Sequence, residues 1–336
     1  MSLMVFDNSK IEDIKKRNEQ GSAEIFDVVE ASAEAKGGSE LIYARVKERV
    51  PEDVWDYFQI ILSRVRELED KPKILWFQDT SKDPEVQFLK KKEERDKFER
   101  FIFPSDWSLE KYHLDLGVEY EKSLVLKNAI EPIPAHTKPK DGPIRLAYIS
   151  TPHRGLDVLI AAFRAGKFEN VELDVYSSFK IYGWEDKDND FEPLYKACRE
   201  TPNVNYHGSV SNEEIRTALQ QTHILAYPSV YKETACISAI EAMSAGCVVV
   251  CPNLAVLPET CANFAWMYGY CEDKSEHARK FAYVLKDAID NFWEPPVQAG
   301  LGFQKQYFDM HYDIDTTAKQ WTLMLETIKS SLEKKS

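Results

Sequence analysis

Short apolar segments that alternate with helical segments are the feature that most restricts the fold of this chain. Residues 144–149 and 224–226 have the composition of buried strands, and each is followed by a turn and then by a helical stretch, at 156–163 and 235–245. This alternation is typical of parallel sheets covered by helices. With 336 residues, the chain is long enough for two domains that each bury a core. The sequence therefore predicts a parallel α/β protein.

A proline-rich segment at 131–143 divides the chain into two parts. It holds four prolines and a glycine, which is the composition of a linker. We therefore expect one domain over residues 1–135 and a second over 136–311. The last segment, 312–336, is predicted to be a helix because apolar residues recur three and four apart, at Ala318, Trp321, Leu325, Ile328 and Leu332.

Two acidic residues lie eight positions apart in the second strand-to-helix unit. Glu233 falls in the loop before the predicted helix, and Glu241 about two turns inside it at a rise of about 1.5 Å per residue, so both can project to one side. The loop and the helix start also offer free backbone N–H groups and a positive dipole end, which suit a diphosphate. This spacing indicates a sugar-nucleotide site.

A basic turn follows the strand at 144–149. It contains His153 and Arg154 and leads directly into the next helix, so that a guanidinium lies at a strand-to-helix turn. His153 has two equal interpretations, a catalytic group that titrates near neutrality or an ordinary polar ring in a turn. A pair of carboxylates can also serve a glycosidase as acid and nucleophile. The phosphate-binding turns beside them favour transfer from an activated donor.

Composition disfavours several kinds of partner. A net charge of −13 argues against nucleic acid and anionic lipid, which require cationic neutralisation. No segment approaches about 20 apolar residues, and the N-terminus lacks the pattern of a signal peptide. The six cysteines show no paired Cys-x-x-Cys spacing, and the histidines show no metal-ligand spacing. We expect a cytoplasmic protein with reduced, mostly buried thiols and no metal site.

The residues around the two carboxylates resemble the retaining glycosyltransferases of the GT-B fold. That family has Pro-Ser, then Glu, seven residues and Glu in a Glu-Ala-Met-Ala-x-Gly frame, which this chain matches at Pro228-Ser229, Glu233 and 241–246. Residues 154–157, Arg-Gly-Leu-Asp, are similar to the second half of the family's phosphate turn, Gly-Arg…Lys-Gly-Leu-Asp. The family's earlier arginine falls at Ile149. The resemblance is strong over residues 144–260 and loose before 128.

The resemblance implies a role for each matching residue. Glu241 would accept hydrogen bonds from ribose hydroxyls, Glu233 would bind the transferred sugar, and Arg154 would stabilise charge on the leaving diphosphate. Lys180 or Lys232 would replace the missing arginine. The other donor-binding positions that the family implies are Thr234, Ala235, Cys236, Ile237, His207 and Gly208, of which His207 would line the base pocket.

The N-terminal half carries weaker matches. Gly37 and Gly38, followed by Ser39 and Glu40, resemble the family's Gly-Gly-x-Glu loop, where backbone approaches the donor phosphates or the acceptor. The strands expected in this half are 24–29, 57–62, 73–77, 101–103 and 124–130. Asp79 follows one of them, near the place where family members have a histidine, so it is the nearest candidate for acceptor activation. Helix capping is an equal alternative for Asp79.

These observations predict an α/β protein of the GT-B fold. It would have two facing Rossmann-like domains with parallel sheets and a C-terminal helix that crosses back to the first domain. The implied function is a retaining glycosyltransferase that uses a nucleoside-diphosphate sugar and a glycan, lipid or protein acceptor, without a cofactor or catalytic metal. One alternative is a catalytically weak or inactive sugar-nucleotide-binding protein, because the family's first arginine and its histidine are missing. A nucleotide-dependent oxidoreductase lacks support, since no Gly-x-Gly-x-x-Gly follows a predicted strand.

Overall fold

A computed structural model describes residues 37–334 of the chain. The strand predicted over 24–29 lies outside the described residues. The described part contains two parallel sheets with helices on their faces, one on each side of the proline-rich linker. The predicted α/β class and the two Rossmann-like domains are therefore confirmed.

The described part of the N-terminal domain has four parallel strands in the order β1-β2-β3-β4. The strands are β1 Gln59–Leu62, β2 Lys73–Trp76, β3 Arg100–Phe103 and β4 Ser123–Val125. The helices are α1 Gly38–Lys47, α2 Glu52–Trp55, α3 Lys92–Arg95 and α4 Asp106–Leu116, with 3-10 turns at Pro84–Lys90 and Tyr120–Lys122. The strand predicted over 124–130 was too long, because the chain leaves the sheet after Val125 and runs to the linker.

The C-terminal domain has six parallel strands in the order β10-β9-β8-β5-β6-β7. The strands are β5 Ile144–Ile149, β6 Val171–Tyr176, β7 Val204–Gly208, β8 Ile224–Ala226, β9 Val248–Asn253 and β10 Trp266–Gly269. The helices are α5 Leu156–Gly166, α6 Glu185–Glu200, α7 Asn212–Gln221, α8 Ile237–Ser244, α9 Leu257–Thr260, α10 Lys274–Asn291 and α11 Pro295–His311, with 3-10 turns at Pro152–Arg154 and Phe179–Tyr182. The strand order reverses between β8 and β5, and such a reversal opens a crevice at the strand ends.

The last helix, α12 Ile314–Glu333, returns to the N-terminal domain. Its apolar face packs on α1 and α2, and Trp321 lies 4.5 Å from the ring of Trp76 and 5.9 Å from that of Trp55. All three tryptophans are buried in one apolar cluster. The predicted crossing back of the C-terminal helix is therefore confirmed.

The chain passes between the domains twice, and the two passing segments lie side by side. Ile130 of the linker donates its amide to the carbonyl of Tyr312 at 2.8 Å and accepts from the amide of Ile314 at 2.9 Å. Within residues 37–334, no helix is long and apolar enough to cross a membrane.

Direct hydrogen bonds also bridge the cleft between the domains. Ser105 Oγ, at the N-cap of α4, donates to the carbonyl of Thr234 at 2.8 Å. From the other side, Glu259 accepts the amides of Asp106 at 3.0 Å and Trp107 at 2.9 Å, so a C-terminal-domain carboxylate caps an N-terminal-domain helix. These contacts hold the two domains against each other at the strand ends.

Candidate active site in the interdomain cleft

Two turns of the C-terminal domain meet where its strand order reverses. The turn at 150–155 follows β5, and the loop at 227–236 follows β8. Gly155 has a φ of 114°, and a Cβ at this position would overlap the carbonyl oxygen of Pro228. Glycine is needed here for both its backbone conformation and its lack of a side chain. The close contact places the basic turn directly beside the acidic loop.

Arg154 and Glu233 form an ion pair at this point. The Nη1 of Arg154 donates to both oxygens of Glu233, at 2.9 and 3.1 Å. The phenol of Tyr227 donates to Glu233 Oε1 at 2.5 Å, and the guanidinium lies 4.5 Å from the ring centre of Tyr231. Glu233 is only 5% exposed. The sequence-predicted cation and carboxylate are thus in direct contact.

The charges of this cluster depend on one another. Burial opposes the charge of Arg154, but the neighbouring Glu233 raises the pKa of Arg154 well above its ordinary value. Burial and the charge of Glu233 also raise the pKa of Tyr227, which therefore stays protonated and donates. A buried charge that loses its partner is costly, so Glu233 stabilises the ionised form of Arg154.

The loop between Glu233 and α8 is strained and firmly held. Cys236, immediately before the helix, has a φ of 63°, a conformation that non-glycine residues rarely adopt. Thr234 Oγ1 donates to the carbonyl of Gln78 in the N-terminal domain at 2.7 Å, and Thr260 Oγ1 donates to the carbonyl of Ala235 at 2.6 Å. The hydroxyl of Thr234, predicted to bind the donor, thus serves here as a contact between the domains.

Glu241 lies on α8, as predicted, and is 3% exposed. Its oxygens accept from Asn212 Nδ2 at 3.2 and 3.3 Å, and Arg216 Nη1 lies 3.6 Å from Oε1. Arg45 of the N-terminal domain donates to Asn212 Oδ1 at 2.7 Å. Burial raises the pKa of Glu241, whereas the hydrogen bond from Asn212 and the charge of Arg216 oppose this rise. The carboxylate therefore belongs to a network that spans both domains.

The two lysines proposed as second phosphate cations lie on the surface. The Nζ of Lys180 is 3.3 Å from Glu185, and its side chain is 66% exposed. Lys232 is also exposed, although it precedes Glu233 directly. In this conformation the buried cation beside the predicted donor carboxylate is Arg154.

His207 and Gly208 end β7, at the edge of the same crevice. The ring of His207 stacks on Tyr176 with a centroid distance of 4.6 Å, and its Nε2 lies 2.8 Å from Asp174 Oδ1. Gly208 has a φ of 69° and turns the chain after the strand. His207 therefore forms part of a flat aromatic pair, which suits the wall of a pocket for a base.

His153 lies at the mouth of the cleft. Its ring stacks on Phe179 at 5.3 Å. Partial burial of the ring and the charges of Arg154 and Lys187 lower the pKa of His153. The neutral form is favoured, so of its two sequence interpretations the structure supports the polar ring in a turn.

The glycine pair of the N-terminal domain faces the donor domain. A Cβ at Gly37 would lie 2.5 Å from Glu40 Oε2 and 2.7 Å from Cε1 of Tyr182, and a Cβ at Gly38 would lie 3.0 Å from Cδ1 of Ile237 at the start of α8. Side chains at either position would crowd these groups. The two glycines therefore let the backbone of one domain approach the other across the cleft.

Asp79 follows β2 and lies on the N-terminal-domain side of the cleft, as Gly37 and Gly38 do. Its Oδ2 is 3.9 Å from Arg64 Nε, while Arg64 Nη2 is 3.7 Å from Asp83, so both ion pairs are longer than hydrogen bonds. Burial and the charge of Asp83 raise the pKa of Asp79. The charge of Arg64 and, more weakly, that of Arg154 oppose this rise. Asp79 thus lies within electrostatic reach of the Arg154–Glu233 pair.

Buried polar atoms without a hydrogen-bond partner concentrate around this cleft. Among the described residues these atoms include Glu40 Oε2, Thr151 Oγ1, Arg154 Nε, Ser177 Oγ and Trp184 Nε1. Unsatisfied buried donors and acceptors are costly in a folded protein and call for an explanation. A polar ligand in the cleft would satisfy them.

Several groups of the site were missed from the sequence. Tyr227, Arg216 and Asn212 contact the predicted carboxylates, and Tyr182 reaches across the cleft to Gly37. Tyr227 and Tyr182 follow strands β8 and β6, whose C-terminal ends face the crevice, and this position was the available signal. The partners of Glu241 carried no local signal because they come from other elements.

Comparison with known proteins identifies the C-terminal domain. Residues 133–295 match the family Glycosyl transferases group 1. No curated protein sequence is significantly similar to the chain. The match confirms a group 1 glycosyltransferase domain over these residues, as the resemblance predicted, and with it the prediction of a glycosyltransferase.

Solved structures confirm the GT-B fold. A glycosyltransferase from Rickettsia africae is 12% identical, with a TM-score of 0.66 over 86% of this chain and 82% of that one. HepE from Anabaena in complex with UDP and glucose is 17% identical, with a TM-score of 0.60 over 76% of this chain and 72% of that one, and HepE has also been crystallised with UDP-glucose. Sucrose-phosphate synthase from Thermosynechococcus elongatus is 15% identical, with a TM-score of 0.61 over 78% and 69%.

Proposed function

We propose that this protein is a retaining glycosyltransferase that transfers a sugar from a nucleoside-diphosphate sugar to an acceptor bound on the N-terminal domain. The observation that carries the proposal is the buried contact between Arg154 and Glu233 at the strand-order reversal of a glycosyl transferases group 1 domain. The cation at that crevice suits the negative diphosphate of a sugar nucleotide, and the carboxylate suits the hydroxyls of its sugar.

Each group of the donor face has a distinct task in this proposal. Arg154 would bind the diphosphate and gain strength as negative charge develops on the leaving group. Glu233, oriented by Tyr227, would accept hydrogen bonds from hydroxyls of the transferred sugar. Glu241 would bind the ribose, and the amides of Ala235, Cys236 and Ile237 would face the donor at the start of α8.

Donor binding would change the partners of the charged groups. The diphosphate would compete with Glu233 for Arg154, and the sugar hydroxyls would replace the guanidinium hydrogen bonds that Glu233 accepts now. The same exchange would bring Glu241 from Asn212 to the ribose hydroxyls. The cluster thus holds Arg154 and Glu233 in position before the donor arrives, which lowers the reorganisation that binding requires.

We propose that the donor is a uridine nucleotide, with uracil as its base. HepE, which shares the fold, was crystallised with UDP and with UDP-glucose. The flat pair of Tyr176 and His207 at the end of the crevice suits the stacking of a base.

Cationic side chains and amides would neutralise the diphosphate, so we propose a reaction without a catalytic metal. The free cysteines support a cytoplasmic location.

Asp79 is the proposed acceptor-side group. It lies opposite Arg154 across the cleft, and burial raises its pKa, which makes the carboxylate a better proton acceptor. Lys180 and Lys232 are exposed and would contact the diphosphate only after a rearrangement of their loops.

A second candidate is a sugar-nucleotide-binding protein with weak or no activity. The specific observation in its favour is that Ile149, in β5, occupies the position of the family's first phosphate arginine. Such a protein would bind nucleotide but would neither hydrolyse nor transfer the sugar.

The test combines nucleotide binding with turnover. We expect UDP to raise the melting temperature more than GDP or ADP, since a ligand that binds only the folded state adds about 2.7 kcal/mol at a hundredfold excess over its Kd. UDP-glucose should then be hydrolysed or transferred, and proton NMR of the new linkage should show the anomeric configuration of the donor. A response to none of the three nucleotides would refute the proposal, inversion would refute the retaining assignment, and binding without turnover would favour the second candidate.

A further inference from the structure

A cluster of polar and aromatic side chains lines the cleft opposite the donor groups. It consists of Glu40, Arg64 and Asp79 from the N-terminal domain and Tyr182 and Trp184 from the C-terminal domain. The donor assignment uses none of these residues, and of the five only Asp79 has a role in the proposed function, on the acceptor side. We refer to these five residues as the cleft cluster.

The loop that carries the aromatic residues is held in place by α6. Asp188 accepts from Ser178 Oγ at 2.5 Å, from the amide of Phe179 at 2.8 Å and from the phenol of Tyr195 at 2.5 Å. These bonds fix the 3-10 turn that ends at Tyr182. The loop is therefore anchored to α6 where it forms one wall of the cleft.

The aromatic wall meets the N-terminal domain at Gly37. Glu40 Oε2 and Cε1 of Tyr182 both lie within 2.7 Å of the point that a Cβ of Gly37 would occupy, so the carboxylate and the phenol ring converge there. The centres of the Trp184 and Tyr182 rings are 5.3 Å apart. The ammonium of Lys187 lies over one face of Trp184, 3.9 Å from the centre of that ring. The wall presents two adjacent rings beside a carboxylate.

Part of the hydrogen-bonding capacity of the cleft cluster has no partner among residues 37–334. Glu40 Oε2 and Trp184 Nε1 are buried and have no hydrogen-bond partner within that range. Arg64 is 3.9 Å from Asp79 and 3.7 Å from Asp83, distances that leave its N–H groups without a short bond to either carboxylate. An acceptor atom, an indole donor and a guanidinium of the cleft cluster are thus available to a ligand.

We propose that the cleft cluster is the acceptor subsite and that the acceptor is an uncharged carbohydrate. The inference rests on the proposed function. A sugar ring has an apolar face that stacks on Tyr182 and Trp184, and hydroxyls that donate to Glu40 and Asp79 and accept from Arg64 and the indole N–H.

Other acceptor classes fit this space less well. The phosphate of a lipid carrier or of a phosphorylated sugar would have to compete with Asp79 and Asp83 for Arg64, which lies 3.9 and 3.7 Å from these two carboxylates. A serine or threonine side chain offers one hydroxyl and would leave most of the unpartnered groups unsatisfied. An uncharged sugar can satisfy donors and acceptors together.

The first experiment measures transfer. Release of nucleoside diphosphate from UDP-glucose, GDP-mannose and ADP-glucose identifies a usable donor. That donor is then offered with methyl glycosides of glucose, galactose, mannose and N-acetylglucosamine, with glucose 6-phosphate, with a serine-containing peptide and with dodecyl phosphate. We expect transfer to at least one methyl glycoside and none to the charged or peptide acceptors. Transfer to the peptide or the alkyl phosphate, or donor hydrolysis without transfer to any saccharide, would overturn the inference.

The second experiment does not require turnover. Saturation-transfer NMR detects binding of the same methyl glycosides to the wild-type protein and to three variants. Glu40→Gln should weaken binding about tenfold, and Trp184→Phe, which keeps a ring but removes the N–H, about threefold. Glu52→Gln changes an exposed glutamate on α2 and is the matched control. Stabilisation by UDP should be the same in all four proteins.

The two experiments separate failure of the inference from failure of the proposed function. If no nucleotide stabilises the protein and no donor is hydrolysed, the proposed function fails. If UDP stabilises the protein but the glycosides bind Glu40→Gln and Trp184→Phe as tightly as wild type, or do not bind wild type, the acceptor subsite is wrong and the donor assignment stands.

Discussion

The two faces of the cleft differ in whether their charged side chains have close partners within the protein. On the donor face, Arg154 and Glu233 neutralise each other, and Glu241 is paired with Asn212 and Arg216. On the opposite face, Glu40 has a buried oxygen without a partner and the nearest ion pairs exceed 3.5 Å.

This difference has a physical consequence for the two faces. A ligand on the donor face must replace contacts that the protein already makes, so the protein groups of that face are ordered in advance. A ligand on the acceptor face instead satisfies groups that are costly to the unliganded protein. Mutations on the donor face should therefore reduce stability as well as activity, and mutations on the acceptor face should reduce activity without loss of stability.

Arg154→Ala is the most severe test of the donor face. The variant should lower kcat/KM by about two to three powers of ten, because it removes about 3 to 4 kcal/mol of stabilisation from the developing charge on the leaving group. Arg154→Lys should recover only part, since an ammonium cannot reproduce the geometry of a guanidinium. Steady-state kinetics with the identified donor gives the values, and near-normal turnover in Arg154→Ala would make the turn structural.

The matched control for this prediction is Lys180→Ala. Lys180 is an exposed cation on a neighbouring loop, paired with Glu185. Its removal should change kcat/KM less than about threefold. Chemical denaturation adds a second comparison, because Arg154→Ala leaves Glu233 buried without its cation and should cost about 3 kcal/mol of unfolding free energy. Arg154→Ala combined with Glu233→Gln should be more stable than Arg154→Ala alone.

Glu241→Gln sharpens the comparison within the donor face. A ribose that bonds to the carboxylate loses charge-assisted hydrogen bonds of about 1.5 to 3 kcal/mol, so affinity for UDP should fall about 10- to 100-fold. Calorimetry of UDP binding measures this directly. Glu213→Gln, which changes an exposed residue next to Asn212, is the control. Equal affinity in the variant and wild type would remove Glu241 from the ribose site.

Groups within the donor face differ in how far the sequence could predict them. Glu233 and Arg154 each lie in a single strand-turn-helix segment, where local order alone places them at the strand ends. Arg45 and Asn212 are separated by 167 positions and meet only because the domains close on each other. The strand pattern likewise predicted the C-terminal sheet closely, whereas β4 ended earlier than expected.

The loop after β6 shows why residue type alone misleads. Lys180 was chosen from this loop because a lysine suits a phosphate, but it is exposed, and Tyr182 is the residue that reaches the cleft. A 3-10 turn has three residues per turn, so side chains two positions apart point in directions that differ by about 120°. The turn type, rather than the charge, decides which residue faces the cleft.

Tyr227→Phe tests whether the donor face is oriented as well as neutralised. The variant keeps the ring but removes the hydroxyl that donates to Glu233 at 2.5 Å. We expect turnover to fall about fivefold and the free energy of unfolding to fall by about 1 kcal/mol. Tyr268→Phe removes another buried phenol contact, to His277, and should cost similar stability without loss of turnover. Identical kinetics in both variants would show that Tyr227 does not orient Glu233.

Glu40→Gln gives the smallest expected effect and addresses the acceptor face directly. Burial, and to a lesser degree the charge of Asp79, raise the pKa of Glu40 above its usual 4.5. The folded protein therefore binds a proton more tightly than the unfolded chain, and stability is lost as pH rises from about 4.5 through the folded pKa. Glutamine does not titrate, so Glu40→Gln should gain stability relative to wild type between pH 4 and pH 8, by up to about 1 kcal/mol after allowance for solvent screening. Urea denaturation at both pH values measures the difference, with Glu52→Gln as the control. A stability difference that is the same at pH 4 and pH 8 would mean that the acceptor face is as well satisfied as the donor face.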